Sequence, residues 1–259
     1  MKSIFRLGAI GVVGSAIIGS TLGGNLRASA LPQDQIVQKL GSVPVFTITD
    51  SKGAPLIASQ PNQKNQAGVA GVFISQKDAQ AFVEQLKKKD PRLGTTVKVV
   101  PVSLGEVYKL DQANQNKPNS IDVAYVPTKQ QVDAAVTLLR QTGQKANQFR
   151  GTPLFVARAG KPLGYLTVKQ GTQQVIPFFF NKEELQRMLE RFKQQQPNIA
   201  STVNIQVVNL EGMLQTLQTR NDKDLGQIVL VPPQESVQFV RSLQPATGTN
   251  RNQQAAPKR

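Results

Sequence analysis

The sequence predicts a mixed α/β fold built from two copies of a unit of about one hundred residues. The stretch "FISQKDAQAFVEQLKKKDP" (73–91) returns as "FFNKEELQRMLERFKQQQP" (179–197), with the same spacing of polar, apolar and proline positions. The flanking segments keep this register, since "VPVFTITDSKGAPLI" (43–57) resembles "TPLFVARAGKPLGYL" (152–166). A long-period internal match of this kind is the signature of a duplicated unit.

Each copy of the repeated stretch predicts an amphipathic helix that begins with a capping box. Ser75 and Asp78 occupy the two capping positions of the first helix, and Asn181 and Glu184 occupy those of the second. In such a box a side-chain oxygen accepts from the third backbone N–H, while the acidic residue reaches back to the cap. We expect both helices to start in this way.

The two helices also share a stripe of apolar residues at positions i, i+3, i+4 and i+7, which predicts one buried face on each. The stripes consist of Ala79, Phe82, Val83 and Leu86 in the first helix and Leu185, Met188, Leu189 and Phe192 in the second. Pro91 and Pro197 follow, and a helix does not easily continue through proline.

The remaining patterns give each unit the predicted order β-β-β-α-β-α-β-α. Alternating strands such as "TVKVV" and "TVNIQVV" follow the capped helices. Short helices come next, and a final strand and helix complete each copy. The apolar positions of the short helices are Leu104, Val107 and Tyr108 in the first copy and Leu210, Met213 and Leu214 in the second. We expect an N-terminal half (31–143) and a C-terminal half (144–245), related by a pseudo-twofold axis. Because a sheet needs both faces covered, we expect the halves to share a core.

The two ends of the chain read as segments outside this fold. Lys2 and Arg6 precede a Gly- and Ala-rich apolar run, and "ASA" ends at Ala30. This pattern predicts a signal peptide (1–30) cleaved between Ala30 and Leu31, in preference to a membrane anchor. The product is expected outside the cytoplasm. The polar tail (246–259) has little to bury and is predicted to be disordered.

Composition excludes several classes of chemistry. The sequence contains no Cys, His or Trp, which removes His- or Cys-based metal sites and Ser–His–Asp or Cys–His catalysis. Of its 31 basic residues, three lie in the predicted leader, so 28 face 16 acidic residues and the mature net charge is +12. Such a field attracts acidic polypeptides or anionic lipid. A secreted chain without aromatics among its basic runs is not expected to bind nucleic acid.

The carboxylates offer no constellation for catalysis. Glu183 and Glu184 belong to the predicted start of a helix, and Asp222 and Asp224 lack further oxygen ligands nearby for a cation. No glycine-rich phosphate motif is present. The sequence therefore predicts a non-enzymatic protein without a metal or cofactor.

Candidate residues for binding a polypeptide client come from the basic and aromatic positions. Lys87, Lys88 and Lys89 close the first helix, and Arg187 and Arg191 lie on the second. Part of this charge is ordinary capping of helix C-termini. The cluster "IPFFFN" (176–181) predicts a core strand around Phe179; an outward-facing Phe178 or Phe180 would instead add an apolar patch.

The motifs "VPVFTITD" and "GVFIS…DA…F", with "KVVPVSLGEVYKL" and "VAYVP" in the same order, resemble one family. This is the Tic22-like family, the twenty-two-kilodalton component of the translocon at the inner chloroplast envelope, and its cyanobacterial relatives. The resemblance covers residues 31 to 243 and implies soluble proteins of the plastid intermembrane space or of the cyanobacterial periplasm, with a thylakoid-associated share. The bacterial-type leader favours the cyanobacterial branch.

The resemblance implies a chaperone-like role in protein transport and outer-membrane biogenesis. Its partners would be unfolded or precursor polypeptides, the outer-membrane β-barrel assembly machinery and an anionic membrane surface. Two alternatives stay open: a lipid or small-molecule carrier with a ligand between the halves, and an envelope scaffold on anionic lipid. A carboxylate-only hydrolase would need two acids in one cleft, which the sequence does not indicate.

Overall fold

A computed structural model describes residues 31–58, 68–115, 117, 120–144, 146–160, 162–220 and 223–243 of the chain. The predicted leader (1–30) and the predicted disordered tail (246–259) lie outside the described residues. No described helix is both long and apolar enough to cross a bilayer.

The first part of the chain has the predicted order of elements, with a preceding helix and a short helical turn in addition. The elements are α1 (Gln33–Leu40), β1 (Pro44–Thr49), β2 (Ile57–Ala58), β3 (Gly68–Phe73), α2 (Gln76–Lys89), α3 (Pro91–Gly94), β4 (Lys98–Ser103), α4 (Leu104–Asn114), β5 (Ile121–Val126) and α5 (Lys129–Gln141).

The second part repeats the order of the first part from its first strand onward, and it adds a short strand and a short helix. The elements are β6 (Pro153–Ala159), β7 (Gly164–Tyr165), β8 (Val168–Gln170), β9 (Gln173–Phe179), α6 (Lys182–Gln195), α7 (Pro197–Ala200), β10 (Asn204–Asn209), α8 (Leu210–Thr219), α9 (Lys223–Gln227), β11 (Ile228–Val231) and α10 (Gln234–Ser242).

The two parts form two mixed sheets with matching strand order, which confirms the predicted fold class. In sheet 1 the order is β5-β3-β1-β4, and in sheet 2 it is β11-β9-β6-β10. The register also matches: the equivalent pairs are Phe46↔Phe73 with Phe155↔Phe179, Pro44↔Ser103 with Pro153↔Asn209, and Phe73↔Val126 with Phe179↔Val231. This agreement supports the duplication, which stays a prediction together with its twofold axis and the boundary at Gly143.

The largest core cluster lies between the two sheets. The inner faces of both sheets pack there against α1, α4 and α8, whose buried residues include Ile36, Leu104, Tyr108 and Leu210. The predicted apolar positions of the two short helices are all buried in it. The halves therefore share a core, as expected from the sequence.

The last helix of each half packs on the sheet of the other half. Helix α5 contributes Ala135 to the cluster of Phe155 and Leu185 on the outer face of sheet 2. Helix α10 places Phe239 against the cluster of Phe46 on the outer face of sheet 1, with ring centroids 5.7 Å apart in an edge-to-face arrangement. Each sheet is thus covered on its outer side partly by a helix from the other half.

Among the described residues of the second half, no helix corresponds to α1, and a glycine leaves room for α1 in the first half. A Cβ on Gly105, at the start of α4, would lie 2.5 Å from the carbonyl oxygen of Val37 in α1. The equivalent position in the second half is Glu211, whose carboxylate accepts a hydrogen bond from the backbone N–H of Thr152. Lys39 of α1 donates to the carbonyl oxygens of Gly226 and Ile228 and so ties α1 to the second half.

Replacing Phe239 by Ala is expected to lower the free energy of unfolding by about 2–3 kcal/mol, because the Phe239 ring of α10 packs on Phe46 of sheet 1. Urea denaturation at neutral pH measures the change. Leu110→Ala, at a position 63% exposed on α4, is the control and is expected to change the same free energy by less than about 0.5 kcal/mol. Equal effects of the two substitutions would show that α10 does not complete the core of sheet 1.

Candidate functional site

Four helix N-termini meet at one edge of the two sheets. The parallel strand pairs β3–β5 and β9–β11 end at this edge, and each of the four strands leads into a helix. The helices are α2, α5, α6 and α10, so each half supplies two. A cavity of about 320 Å³ lies between them, which makes this junction a candidate functional site.

One side of the junction joins α2 to α10. The Ser75 hydroxyl donates to a carboxylate oxygen of Glu235 at 2.7 Å, and Lys77 forms an ion pair with the other oxygen at 3.1 Å. The Ser75 side chain makes no capping hydrogen bond to α2. The predicted capping box of the first helix is therefore wrong, because a carboxylate from the other half binds the hydroxyl.

The other side of the junction joins α5 to α6. The Gln131 side chain donates to Glu183 at 2.8 Å and accepts from the backbone N–H of Lys182 at 2.9 Å. Burial raises the pKa of Glu183, but hydrogen bonds from Gln131, from its own backbone N–H and from Gln130 together hold that pKa below its usual value. Glu183 is therefore a structural anion that joins the two halves.

The second predicted capping box forms only in part. The Asn181 side chain accepts from the backbone N–H of Glu184 at 3.2 Å, as predicted. The Glu184 carboxylate does not complete the box; it accepts from the backbone N–H of Gln234, the first residue of α10, at 2.9 Å. The acidic residue caps the neighbouring helix because the junction places α10 beside α6.

The side chains of two polar residues at the cavity, Asp78 and Thr152, form none of these hydrogen bonds. Burial and the charge of Glu235 raise the pKa of the Asp78 carboxyl above its ordinary value. Thr152 is 1% exposed, and its hydroxyl oxygen has no hydrogen-bond partner among the described residues. Both residues line the cavity together with the apolar Ile74, Pro127 and Phe180.

A second cavity, of about 390 Å³, lies where the β1–β4 edge of sheet 1 meets α10. Its walls include Pro44, Pro101, Val237, Val240 and Arg241. The walls come from both halves, as at the junction. They are mostly apolar with polar groups between them.

Four of the five predicted basic residues are exposed and Lys87 is half-buried, and the five do not form one surface. Lys87 is paired with Glu84 at 2.9 Å, while Lys88 and Lys89 are exposed at the end of α2. Arg187 and Arg191 are exposed on α6. Because α2 packs on the outer face of sheet 1 and α6 on that of sheet 2, both sheets and the central cluster separate the two basic groups.

The structure corrects the outward-facing interpretation of the aromatic cluster. Phe178 and Phe180 are 3% and 2% exposed and belong to the central core, whereas Phe179 packs on the outer side of sheet 2. Strand alternation holds, but both faces of this strand are covered. Neither Phe178 nor Phe180 can contact a client without opening the core.

Phe82, which the sequence places in a buried stripe, is instead an exposed aromatic residue. Its side chain is 42% exposed and contacts Phe73, with ring centroids 5.5 Å apart. The equivalent residue of α6, Met188, is half-buried. The sequence offers one clue to this difference in burial. The largest apolar residue is the second member of the first stripe, Phe82, but the fourth member of the second stripe, Phe192.

The model of the Tic22-like family matches residues 7–242 of the chain. The chain belongs to the Tic22-like family. The resemblance seen in the sequence motifs is thereby confirmed.

The similar proteins include plant and cyanobacterial members. The chain is 26% identical over 207 residues to the chloroplastic TIC 22-like protein of Arabidopsis thaliana; the match covers 78% of the chain but only 62% of that protein. Its identity to the chloroplastic TIC 22 of Pisum sativum is 24%, over 80% of the chain and 75% of that protein. The solved structure of Anabaena Tic22, a protein-transport protein, has a TM-score of 0.72 and 38% identity, over 83% of this chain and 98% of that one.

The fold extends to a more distant relative. Tic22 of Plasmodium falciparum has a TM-score of 0.61 and 23% identity, over 80% of this chain and 96% of that chain. At that identity the comparison shows the fold alone.

In the described part of this Tic22-like chain, no three acidic side chains are grouped so as to hold a metal ion.

Replacing Asp78 by Asn is expected to stabilise the protein at neutral pH. Because the pKa of Asp78 is raised in the folded state, ionisation of this carboxyl opposes folding. The cost is absent below the ordinary value of 3.8 and is fully present above the folded-state pKa. Urea denaturation at pH 7 and at pH 3 should show a small gain in the free energy of unfolding that is confined to pH 7.

Asp122→Asn, at an exposed position of β5, removes the same charge and is the matched control. A loss of stability in Asp78→Asn at pH 7 would mean that the carboxylate supports the fold, and would contradict the assigned direction.

Proposed function

We propose that this protein is a periplasmic, chaperone-like carrier that binds unfolded precursor and outer-membrane polypeptides and supports their transport and envelope biogenesis. It acts without catalysis, and it hands its clients to the outer-membrane β-barrel assembly machinery. The protein-transport description of Anabaena Tic22, with 38% identity over most of both chains, supports this assignment. A share of the protein lies at the thylakoid.

The proposal rests on the exposed residues of α2. Phe82 is exposed beside Phe73, the half-buried Leu86 lies one turn further along α2, and the exposed Lys89 follows on the same side. A helix places such residues on one surface, because side chains three and four positions apart are neighbours. An aromatic group that is followed by cations suits an extended chain with apolar and acidic residues.

The charge on α2 exceeds what capping requires. Lys87 is paired with Glu84, but no ion pair holds Lys88 or Lys89 among the described residues. Exposed cations of this kind mainly raise the rate of encounter with an acidic partner and act over about one Debye length. The α6 surface with Arg187 and Arg191 offers a second, separate contact, and two linked weak contacts raise the apparent affinity for one long client.

The lipid-carrier alternative receives less support from the cavities. Both described cavities mix polar and apolar walls and measure about 320 and 390 Å³, the lower end of the range for small-ligand sites. Such walls suit short polar–apolar segments better than acyl chains. The exposed lysines keep the anionic-lipid scaffold as a second candidate, which flotation with liposomes that contain or lack anionic lipid tests directly.

Replacing Lys87, Lys88 and Lys89 by Gln is expected to weaken binding of an unfolded, acidic outer-membrane barrel about fivefold at 50 mM salt. The difference from the native protein should shrink towards 0.5 M salt, where screening removes it. Suppression of client aggregation by light scattering, together with fluorescence anisotropy for the dissociation constant, measures both effects. An unchanged salt dependence would remove the electrostatic part of the proposal.

Replacing Phe82 by Gln is expected to reduce aggregation suppression at all salt concentrations, because the lost contact is apolar. Leu110→Gln is the matched control, since Leu110 is an exposed apolar residue away from α2. Equal activity of the Phe82 variant and the control would exclude this surface of α2 as the client contact.

A further inference from the structure

Strand β10 is an outermost strand of sheet 2, and part of its backbone has no hydrogen-bond partner. The backbone N–H of Leu210 donates to the carbonyl oxygen of Thr152, which fixes the phase of the antiparallel ladder between β10 and β6. Because hydrogen-bonded and non-hydrogen-bonded pairs alternate in such a ladder, the N–H and C=O groups of Ile205 and Val207 point away from β6. None of these groups bonds to another described residue. The edge therefore offers free donors and acceptors in strand geometry.

The equivalent edge of sheet 1 is protected against pairing with another strand. Strand β4 carries Lys98 and Pro101 at the positions that Asn204 and Val207 occupy in β10. Pro101 lies opposite Phe46 at a position whose N–H would point outward, so proline removes a donor from the edge and none from the ladder. Proline and charged residues are devices that keep free edges from pairing with other chains. The sequence of β10, "NIQVVN", contains neither.

The remaining outermost strands of the two main ladders also differ from β10. Strand β5 carries the exposed Asp122. Strand β11 has only four residues, and Lys39 donates to the carbonyl oxygen of Ile228 in it. Short length and charge both weaken a strand as a template for pairing. Of the strands β4, β5, β10 and β11, only β10 lacks such protection.

The side chains of β10 hold this open edge in place. Ile205 and Val207 pack into the cluster on the outer face of sheet 2, and Val208 packs against the central cluster. All three side chains are half-buried, so the side chains of an added strand would cover them further. A strand that is already ordered loses little conformational entropy when a partner pairs with it.

Charge and side-chain pattern favour a client segment over a second copy of the chain at this edge. The formal net charge of +15 makes two copies repel each other, whereas an acidic or neutral polypeptide meets no such barrier. In β10 the apolar Ile205 and Val207 alternate with the polar Asn204 and Gln206. Strands of outer-membrane barrels alternate in the same way, which would place their apolar side chains beside Ile205 and Val207.

We propose that the open edge of β10 binds an extended segment of a client polypeptide as an additional strand of sheet 2, through the backbone groups of Ile205 and Val207. The proposal rests on the proposed function and deepens it by naming the conformation in which a client is held. In strand addition the main-chain hydrogen bonds supply affinity for an extended chain. Such a site suits a protein that binds clients of different sequence before they fold.

The test follows amide hydrogen exchange by NMR in the isotope-labelled mature chain. The probe is a short, neutral, unstructured peptide in which apolar and polar residues alternate. A counterpart peptide with N-methyl groups on its backbone nitrogens keeps the side chains but cannot donate from its main chain. In the free protein the amides of residues 205 and 207 should exchange quickly, while those of 206 and 208, which face β6, should exchange slowly. The unmodified peptide should slow exchange at 205 and 207 at least about tenfold, and the methylated counterpart should not.

Val207→Pro gives β10 the residue that β4 has at the equivalent position and removes an outward N–H. It is expected to weaken peptide binding at least about fivefold. Val207→Ile keeps the N–H and the branched apolar side chain, and this matched control should leave the dissociation constant within about twofold. Asn204→Lys, at an exposed position, protects the edge without proline and should weaken binding about threefold. This second variant keeps the proposal testable if proline distorts the strand.

Three results would overturn the proposal. The first is unchanged exchange at residues 205 and 207 under saturating peptide, and the second is equal protection by the methylated counterpart. The third is protection of the same amides without peptide that rises with protein concentration, which would assign the edge to a second copy of the chain.

Client aggregation is measured in parallel on the same proteins. Suppression of aggregation while residues 205 and 207 stay unprotected removes the strand site and leaves the proposed function. Protection by the peptide without suppression of aggregation supports the strand site and removes the chaperone role.

Discussion

The exchange of the last helix between the two halves is the constraint on which the rest of the structure depends. Sheet 1 is completed by α10, through Phe239 on Phe46, and sheet 2 by α5, through Ala135 beside Phe155. Neither half can therefore cover both faces of its own sheet. Together with the central cluster this makes the two halves a single cooperative structure, because burial of apolar surface is the dominant stabilising contribution.

The same exchange creates the junction. Since α5 and α10 cross to the other half from the same sheet edge at which α2 and α6 begin, four positive helix ends meet, and acidic side chains collect there. Glu183 and Glu235 are used to hold the halves together. The pKa of Asp78 is raised, so its ionisation opposes folding. Groups with perturbed pKa values that destabilise the fold are commonly found at functional sites.

Some equivalent positions of the two halves carry different residues, and these differences mark residues that the common fold does not require. Gly105 admits α1, whereas its equivalent Glu211 holds the backbone of Thr152. Thr152 itself replaces a valine, and Phe82 is exposed where the second copy half-buries a methionine. Each difference lies at a position where the backbone of the two halves is equivalent and only the side chain differs.

The sequence by itself determined the order of the main strands and helices, the apolar positions of the short helices and the family, because periodicity and spacing report local geometry directly. Tertiary structure alone decided that Ser75 binds Glu235, that Phe178 and Phe180 are covered and that Phe82 is not. The physical reason is that a pattern shows which side of an element is apolar, but not which distant element covers the other side. Here the covering helices come from the opposite half, and α10 lies more than one hundred residues along the chain from the β1 strand and the α2 helix that it packs against.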